Sequence, residues 1–311
     1  MPHCSVIVVT YNSSLQIELC LRALAAQDCE IVVVDNASSD DTRARVMRLS
    51  ETIPLKLVAL RENTGFAGGV NEGARNASGD VILLLNPDAI AQPEAIDVLT
   101  DCLTRTGAAA AGGALLDAEG HAEKGFTFRR LPTLGSLLFE ALLVNQLWPA
   151  NRANRRYRCL DADYSVEQLV EQPAGACLAV TRSIWEQLGG MDAAFFPVWF
   201  EDVDFCKRLQ QAGEKIVYCP AATFRHSGAH SVGQLAFAKR QMIWYSNMLR
   251  YARRHLSPWR AFTLRIGIVV GMTIRVIASL LGARPQGVLL GEAVGAYAQV
   301  AVKASGLKRA F

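Results

Sequence analysis

Three places in the sequence combine residue types that suit catalysis or metal binding. Asp88 ends an Asn-Pro-Asp run after an apolar segment, Glu201 and Asp202 follow the bulky segment at 195–200, and His226 follows a strand-like segment. A carboxylate after a buried strand suits an oxygen-preferring cation such as Mg²⁺ or Mn²⁺ that bridges two phosphates. A carboxylate in partly apolar surroundings has a raised pKa and suits a general base toward an alcohol. Metal-assisted chemistry on a phosphate-bearing substrate is therefore the first hypothesis.

Each of these groups also has a simpler structural interpretation. Asn-Pro-Asp is an ordinary turn sequence, and acidic residues at the start of a helix are favoured by the helix dipole and its free N–H groups. A lone histidine is more often structural than a ligand, so His226 becomes a metal ligand only if the fold brings it to Asp88. The residue types alone leave both interpretations open.

Polar residues follow each of the first four apolar runs. In open α/β sheets the ligand binds beyond the carboxyl ends of the strands, so these residues predict a nucleotide site. Asp35 is placed to accept a hydrogen bond from a base or ribose, and Gly65 lets the backbone approach a ligand ahead of a helix. A series of ordinary turns is the alternative. The clusters are Thr10-Tyr11-Asn12, Asp35-Asn36-Ala37-Ser38, Arg61-Glu62-Asn63-Thr64-Gly65 and Asn86-Pro87-Asp88.

The elements that must position these residues alternate between strands and helices. This alternation predicts an α/β fold with an open, doubly wound, mainly parallel sheet and flanking helices. The continuous apolar run at 80–88 suits a central strand covered on both faces. Between 108 and 173 the pattern is less regular, with a strand candidate at 108–116 and a helix candidate at 134–148. Strand patterns lie at 5–10, 31–35, 55–60, 80–88, 174–180 and 215–220, and helical patterns lie at 14–27, from 38 or 39, after 65 and at 199–213.

Composition limits the partners and the compartment. The net charge of +3 gives no global argument for nucleic-acid binding. The eight cysteines are scattered without a Cys-x-x-Cys pair, which predicts buried thiols in a reducing compartment. The strand pattern begins at Ser5 with no leader-like segment before it, so we expect a cytoplasmic protein.

The C-terminal region differs from the rest of the chain. Residues 262–281 are as long as a membrane span but contain Arg265 and Arg275. Together with the basic residues upstream, this pattern predicts basic, apolar helices on an anionic membrane surface at the inner face of the cell membrane. Packing of these helices on the catalytic domain is the alternative. We therefore divide the chain into a catalytic domain at 1–235 and a helical region at 236–311.

Five segments resemble a known enzyme family. They are SVIVVTYN, IVVVDNASSDDT, ENTGFAGGVNEGARNASGDVILLLNPD, PAGACLAVTRSIWEQLGGMD and FFPVWFEDVDFCKRLQQAG. In this order and spacing they resemble family 2 glycosyltransferases with a GT-A fold, and within them bacterial rhamnosyltransferases. The resemblance covers about residues 4–230.

The resemblance assigns roles to individual positions. It implies that Asp88 is the last carboxylate of the family's DxD metal motif, with Asn86 at its first position, and that His226 is a further metal ligand. It implies that Asp202, the second residue of the Glu201-Asp202 pair, is the catalytic base. It implies a donor site formed by Thr10, Asn12, Asp35, Ala37, Asn63, Gly65 and Asn71. The strand-end clusters add Tyr11 and Asn86 to these donor-side residues.

The implied activity is inverting transfer of a sugar from a nucleoside diphosphate, with dTDP-L-rhamnose as the expected donor and a UDP-sugar as the other possibility. The expected acceptor is a hydroxyl of a cell-envelope glycan or of a polyprenyl-diphosphate-linked saccharide. Two other functions use the same fold. One is a non-catalytic sugar-nucleotide-binding scaffold, and the other is a nucleotidyltransferase, which releases pyrophosphate from a nucleoside triphosphate.

Overall fold

The computed structural model describes residues 3–228 and 235–306 and divides into two compact units. The first combines Met1–Leu131 with Arg158–Ser231, and the second combines Pro132–Tyr157 with Val232–Phe311. The second unit thus includes residues 132–157, which the division at 235–236 had placed in the catalytic domain. This segment is inserted between two parts of the first unit, and a sequence pattern does not show which neighbours such an insertion packs against.

The elements follow in chain order. The first half contains β1 (Cys4–Thr10), α1 (Ile17–Leu24), β2 (Glu30–Asp35), α2 (Thr42–Leu49), β3 (Leu55–Ala59), α3 (Gly65–Asn76), β4 (Val81–Leu85), β5 (Ala89–Ala91), α4 (Ala95–Thr106), β6 (Ala110–Leu116) and β7 (Phe128–Arg129). The remainder contains α5 (Leu134–Ala141), α6 (Val144–Leu147), α7 (Arg152–Tyr157), β8 (Gln168–Leu169), β9 (Gln172–Pro173), β10 (Cys177–Thr181), α8 (Arg182–Gln187), α9 (Glu201–Gln211), β11 (Ile216–His226), α10 (Phe237–His255), α11 (Pro258–Leu280) and α12 (Leu290–Ser305).

The main sheet has the order β3-β2-β1-β4-β10-β6-β11-β5, with β8 also paired to β11. Strands β1 to β4 are parallel, whereas β10 runs antiparallel to both β4 and β6. Cys177 at the start of β10 therefore lies opposite Leu85 at the end of β4. The α/β prediction is confirmed, and the antiparallel strand brings the segment before Cys177 to the carboxyl edge of the parallel strands.

The core lies on both faces of this sheet. Val6 and Val8 of β1 pack with Leu21 on one face, whereas Ile7 and Val9 pack with Val70 on the other. All five residues of β4 are buried, as the continuous apolar run predicted for a central strand. The eight cysteines are free thiols, and six of them are buried.

The second unit is helical. Leu143 has a φ of 67°, which ends α5 and splits the single helix expected at 134–148 into α5 and α6. A Cβ added at Gly267 or Gly271 would collide with Leu138 or Ala141, so the two glycines allow α11 to approach α5 closely. Arg275 is 7% exposed and donates hydrogen bonds to the carbonyl oxygens of Ala141 and Glu140. This arginine therefore belongs to the interior of the unit.

Candidate active site

The ends of β1 and β2 form the first part of the site. Thr10 and Asp35 are both buried, and the Thr10 hydroxyl lies 3.4 Å from Asp35 Oδ1. Asn12 Oδ1 accepts a hydrogen bond from Ser39 N at 2.8 Å, and the backbone N–H of Asn12 donates to Ser38 Oγ at 3.1 Å. The predicted donor-side residues of these two strands therefore lie together at one edge.

Local backbone geometry shapes this edge. Asn12 and Ala37 have φ angles of 52° and 61°, values that side-chain-bearing residues adopt at a cost of about 1–3 kcal/mol. Tyr11, which directly follows β1, is 36% exposed. Asn12 and Ala37 each stand two positions after the end of a strand, where the chain turns away from the sheet.

Asn36 stands in one of the strand-end clusters but was given no role of its own, and it connects β2 to the start of α3. Its buried amide donates to Gly65 O at 3.0 Å and accepts from Thr64 N at 2.8 Å. Asn63 Oδ1 accepts from Gly65 N at 2.8 Å. The place of Asn36 directly after Asp35 was visible in the sequence. Its partners are about thirty positions away, so the sequence could not identify them.

Gly65 brings a distant loop onto this edge. It has a φ of +77°, and an added Cβ would lie 2.9 Å from Phe196 Cδ2 and from Pro197 O. The adjacent Phe66 N donates to Pro197 O at 2.8 Å. The bulky segment at 195–200 therefore packs against the start of α3, which places the beginning of α9 near the donor-side residues.

Asn71 differs from the other donor-side residues in its contacts, which are with the loop after α8. Its Nδ2 donates to Met191 O at 2.7 Å and its Oδ1 accepts from Met191 N at 2.9 Å. Both polar ends of the side chain are thus used to hold the loop after α8 on α3. These contacts favour a structural role for Asn71, and the predicted donor contact stays a prediction.

The change Asn71→Ala tests this role. We expect the free energy of unfolding to fall by about 1–3 kcal/mol, because two backbone groups of Met191 lose their partner. The donor dissociation constant should change by less than about threefold. Urea unfolding and calorimetric titration with nucleotide measure the two effects, and Asn76→Ala, whose side-chain amide bonds only within α3, is the control. Weaker donor binding at unchanged stability would restore the original assignment.

Asp88 and His226 meet at the edge of the sheet. The side chains are 8% and 3% exposed, and His226 Nε2 lies 3.6 Å from Asp88 Oδ1. Nδ1 lies 3.0 Å from Glu123 Oε2, and the ring stacks on Phe126 with centroids 5.1 Å apart. Because a carboxylate oxygen accepts, the contact with Glu123 holds a proton on Nδ1, and Nε2 on the other side of the ring faces Asp88.

Asp202 occupies a cluster of hydrogen-bond donors. Its Oδ2 accepts from Gly175 N and from Gln172 Nε2, each at 3.0 Å, and its Oδ1 accepts from Val203 N at 2.8 Å. Burial raises the pKa of this carboxyl. The backbone N–H groups of Gly175 and Val203 and the charge of Arg129 oppose that rise. Gln172 was missed because it lies in an irregular segment without a motif.

Glu201 differs from its neighbour in its surroundings. It is 4% exposed, and its Oε2 has no hydrogen-bond partner among residues 3–228 and 235–306. Burial, followed by the charge of Asp202, raises the pKa of the Glu201 carboxyl well above its ordinary value. The fold therefore favours the protonated form of Glu201.

This shift predicts a pH-dependent effect on stability. A folded-state pKa above the unfolded value contributes stability that is complete below the unfolded pKa and is lost as pH rises through the folded pKa. We expect Glu201→Gln, which mimics the protonated form, to gain stability relative to the native chain as pH rises, by more than about 1 kcal/mol at alkaline pH. Urea unfolding over a pH series measures the difference. The control is Glu186→Gln, since that side chain is 66% exposed. A difference that shrank with rising pH would show that Glu201 is ionised at low cost.

Asp204, which shares the first turn of α9, has a structural role. It is fully buried and pairs with Arg208 at 2.8 Å, and Arg208 also donates to Leu188 O and Gly190 O. The acidic cluster at the start of α9 is therefore divided. Asp202 faces the carboxyl edge, whereas Asp204 ties α9 to the turn after α8.

Main-chain contacts bring the Asp88 and Asp202 regions together. Asn86 N donates to Ala176 O at 3.0 Å, and the neighbouring Gly175 N holds the Asp202 carboxylate. On the His226 side, the Arg129 guanidinium lies 5.7 Å from the centroid of Phe126, the ring that stacks on His226. The same guanidinium acts on the Asp202 carboxyl. Two independent sets of contacts thus connect Asp88 and His226 to the Asp202 carboxylate on α9.

The chain is similar to known glycosyltransferases. Residues 5–156 match the model for glycosyl transferase family 2. The chain is 32% identical over 298 residues to the N-acetylglucosaminyl-diphospho-decaprenol L-rhamnosyltransferase of Mycobacterium tuberculosis. The alignment covers 90% of this chain and 94% of the relative. It is 24% identical over 279 residues to the low-salt glycan biosynthesis hexosyltransferase Agl10 of Haloferax volcanii, covering 88% of this chain and 81% of that protein.

Solved structures share the fold. The mannosyltransferase PcManGT from Pyrobaculum calidifontis, in complex with GDP-Man and Mn²⁺, aligns with a TM-score of 0.55 at 18% identity, covering 98% of this chain and 80% of that one. GalNAc-T7 with UDP, GalNAc and Mn²⁺ aligns with a TM-score of 0.59 at 14% identity, covering 96% and 54%. The fold of a GT-A enzyme and an extended match to a sugar transferase lead to one conclusion: this chain belongs to glycosyl transferase family 2, close to the rhamnosyltransferases, and is a glycosyltransferase.

Proposed function

We propose that this enzyme transfers L-rhamnose from dTDP-L-rhamnose, with inversion, to a hydroxyl of a polyprenyl-diphosphate-linked acceptor at the cytoplasmic face of the membrane. The observation that carries the proposal is the buried His226 Nε2 facing Asp88, at the same edge as Asp202. The relative from Mycobacterium tuberculosis, a decaprenol-linked rhamnosyltransferase, supports this choice of donor and acceptor.

The Asp88 and His226 side chains fit a divalent metal. Nε2 is buried without a hydrogen-bond partner among the described residues, and a carboxylate oxygen lies 3.6 Å away. A bound Mg²⁺ or Mn²⁺ would neutralise charge on the departing diphosphate. Two protein ligands suffice for such an ion, because substrate phosphates and water supply the others. Glu123 would orient the imidazole, as carboxylates commonly do for histidine ligands.

The strand-end residues would hold the nucleoside. Asp35 is buried beside Thr10 and offers a carboxylate to base or ribose N–H and O–H donors. The backbone of residues 36 to 38 and of Gly65 lies at the same edge, where a ligand would approach the main chain closely. In this proposal Asn12, Ala37 and Asn63 shape the edge, since Asn12 Oδ1 accepts from Ser39 N, Asn63 Oδ1 accepts from Gly65 N, and Ala37 turns the backbone.

Asp202 would be the general base. Its two oxygens accept three hydrogen bonds from Gln172, Gly175 and Val203, which fix the carboxylate while leaving one lone pair on Oδ1 for an acceptor hydroxyl. The raised pKa brings its basicity closer to what proton abstraction needs. Asp202 takes the hydroxyl proton, the acceptor oxygen bonds to the anomeric carbon, and the bond to the diphosphate breaks with its electron pair. A single displacement inverts that carbon.

A panel of nucleotide sugars, with Mg²⁺ or Mn²⁺ and a short-chain polyprenyl-diphosphate saccharide, tests this function. We expect nucleoside diphosphate release and a glycosylated acceptor with dTDP-L-rhamnose. Binding of donor without turnover under every condition would favour a scaffold, and pyrophosphate release from a nucleoside triphosphate would favour a nucleotidyltransferase. Transfer from another sugar nucleotide alone would replace the donor in the proposal.

A further inference from the structure

One face of α11 is apolar and exposed along its whole length. We define the apolar stripe as Trp259, Phe262, Ile266, Val270, Ile274 and Ile277, which recur every three or four residues and so share one side of the helix. Their exposed fractions run from 60% at Trp259 to 41% at Ile274. Leu280 and Leu281 extend it, with exposed fractions of 63% and 83%. An exposed apolar surface of this extent marks a contact site.

The opposite face of α11 is committed to the interior of the helical unit. Leu264, Ile268 and Met272 are fully buried, and the buried Arg275 is tied to the carbonyl of Ala141. Among the described residues, Pro258–Leu280 is the one helix long and apolar enough to cross a membrane, with a mean hydropathy of 1.8 and 39% of its apolar window buried. A helix with one packed face and one open apolar face suits a position in the plane of a bilayer surface.

Charge identifies the partner that this face fits. The described part of the helical unit contains thirteen lysines and arginines but two acidic residues, Glu140 and Glu292. The chain as a whole has a net charge of only +3, so positive charge is concentrated in this unit. Arg260 lies over the Trp259 ring at one end of the stripe, and the exposed Arg284 follows the other end. A second copy of the chain would bring like charges together, whereas an anionic surface attracts them.

We propose that the apolar stripe docks on an anionic lipid bilayer, with α11 lying in the interface and its flanking arginines on the headgroups. This deepens the proposed function and rests on it, since a lipid-linked acceptor is presented at such a surface. The stripe supplies the hydrophobic part of the binding energy, and the basic unit supplies the electrostatic part. Neither is strong alone, and the combination gives reversible attachment.

Co-sedimentation of the full chain with phosphatidylcholine vesicles, with and without phosphatidylglycerol, tests the proposal. We expect binding to the anionic vesicles that weakens at high salt. The double variant Phe262→Ser/Ile266→Ser should reduce the partition coefficient at least about tenfold. The matched control, Met47→Ser/Val166→Ser, removes side chains that are 53% and 47% exposed in the catalytic unit and should stay within about twofold. Circular dichroism checks that each variant is folded.

A second measurement covers the case of a misfolded double variant. Brominated lipids should quench the fluorescence of the native chain, and Trp259→Phe should remove part of that quenching. Unchanged vesicle binding by a folded double variant would overturn the proposal, as would a native chain that alkaline carbonate cannot extract, since this indicates a span. A native dimer that the double variant converts to monomers, with vesicle binding unchanged, would assign the stripe to self-association.

Transfer to a water-soluble short-chain acceptor separates this inference from the proposed function. The double variant should keep that transfer, because the stripe lies outside the catalytic machinery. Normal transfer without vesicle binding by the native chain rejects only the docking surface. Vesicle binding as predicted, without sugar transfer by the native chain, rejects the proposed function instead.

Discussion

Replacing Asp202 with asparagine should lower the turnover of sugar transfer about 1000-fold while leaving the donor dissociation constant within about threefold. The carboxylate is the proposed proton acceptor, and the amide cannot take the proton at neutral pH. The amide oxygen can still accept from Gln172 and Gly175, the two donors that hold Oδ2, so the site should keep its shape. Single-turnover kinetics and calorimetric titration with dTDP measure the two quantities.

Asp101→Asn is the control for this change, since Asp101 lies on α4 with its side chain 62% exposed. It should leave transfer within about twofold. The pH profile adds a second check. Because the pKa of Asp202 is raised, activity of the native enzyme should fall on acidification at a pH above the ordinary range of an aspartate. Normal turnover by Asp202→Asn would remove this residue from the mechanism.

Asp88→Asn should weaken metal binding at least about 100-fold and lower transfer by a similar factor. Asp88 is the one carboxylate beside the buried His226 Nε2 within the described ranges, and an amide offers no negative charge to a divalent cation. Titration with Mn²⁺ followed by electron paramagnetic resonance measures the affinity in the presence of nucleoside diphosphate. Thermal unfolding checks that the variant is folded.

Glu123→Gln provides a graded comparison for this prediction. Glu123 touches Nδ1 of His226 at 3.0 Å, so the change should weaken the orientation of the ring without removing a ligand. We expect a loss of about tenfold in Mn²⁺ affinity, smaller than that of Asp88→Asn. Equal affinities for all three proteins would show that the metal does not bind between Asp88 and His226.

Much of the fold was predictable because hydrophobic periodicity is a local property. The strand patterns at 5–10 and 31–35 correspond to β1 and β2, and the Gly/Ala-rich candidate at 108–116 corresponds to β6. Polar residues at the ends of parallel strands must share one edge, so the contact between Thr10 and Asp35 could be anticipated. Pairing of β10 antiparallel to β4 could not, because strand direction depends on tertiary packing.

The parts of the site that escaped prediction all depend on long-range contacts. Glu123 and Gln172 lie in the irregular region between 108 and 173, and they acquire a role only when the chain brings them to His226 and Asp202. Asn71 shows the opposite case, in which a motif suggests a role that the contacts do not display. It stands in a motif that resembles a donor site, yet the backbone of Met191 occupies both ends of its amide.

The site is economical in its use of the sheet. Each element contributes one function at its carboxyl edge: β2 carries Asp35, β4 leads to Asp88, and β11 ends at His226. Strand β10, which runs antiparallel to β4 and β6, begins at that edge, so Gly175 before it can hold the proposed base on α9. In the proposed site, the groups that would bind the nucleoside, the diphosphate and the acceptor hydroxyl therefore lie along one edge of the sheet.

A crystal structure with dTDP and Mn²⁺ tests the central claim most directly, because the anomalous signal locates the metal independently of the fold. We expect one manganese coordinated by Asp88 and His226, the nucleoside against Asp35, and the Asp202 carboxylate opening onto the same cleft. Manganese bound elsewhere, or Asp202 facing away from the diphosphate, would contradict it.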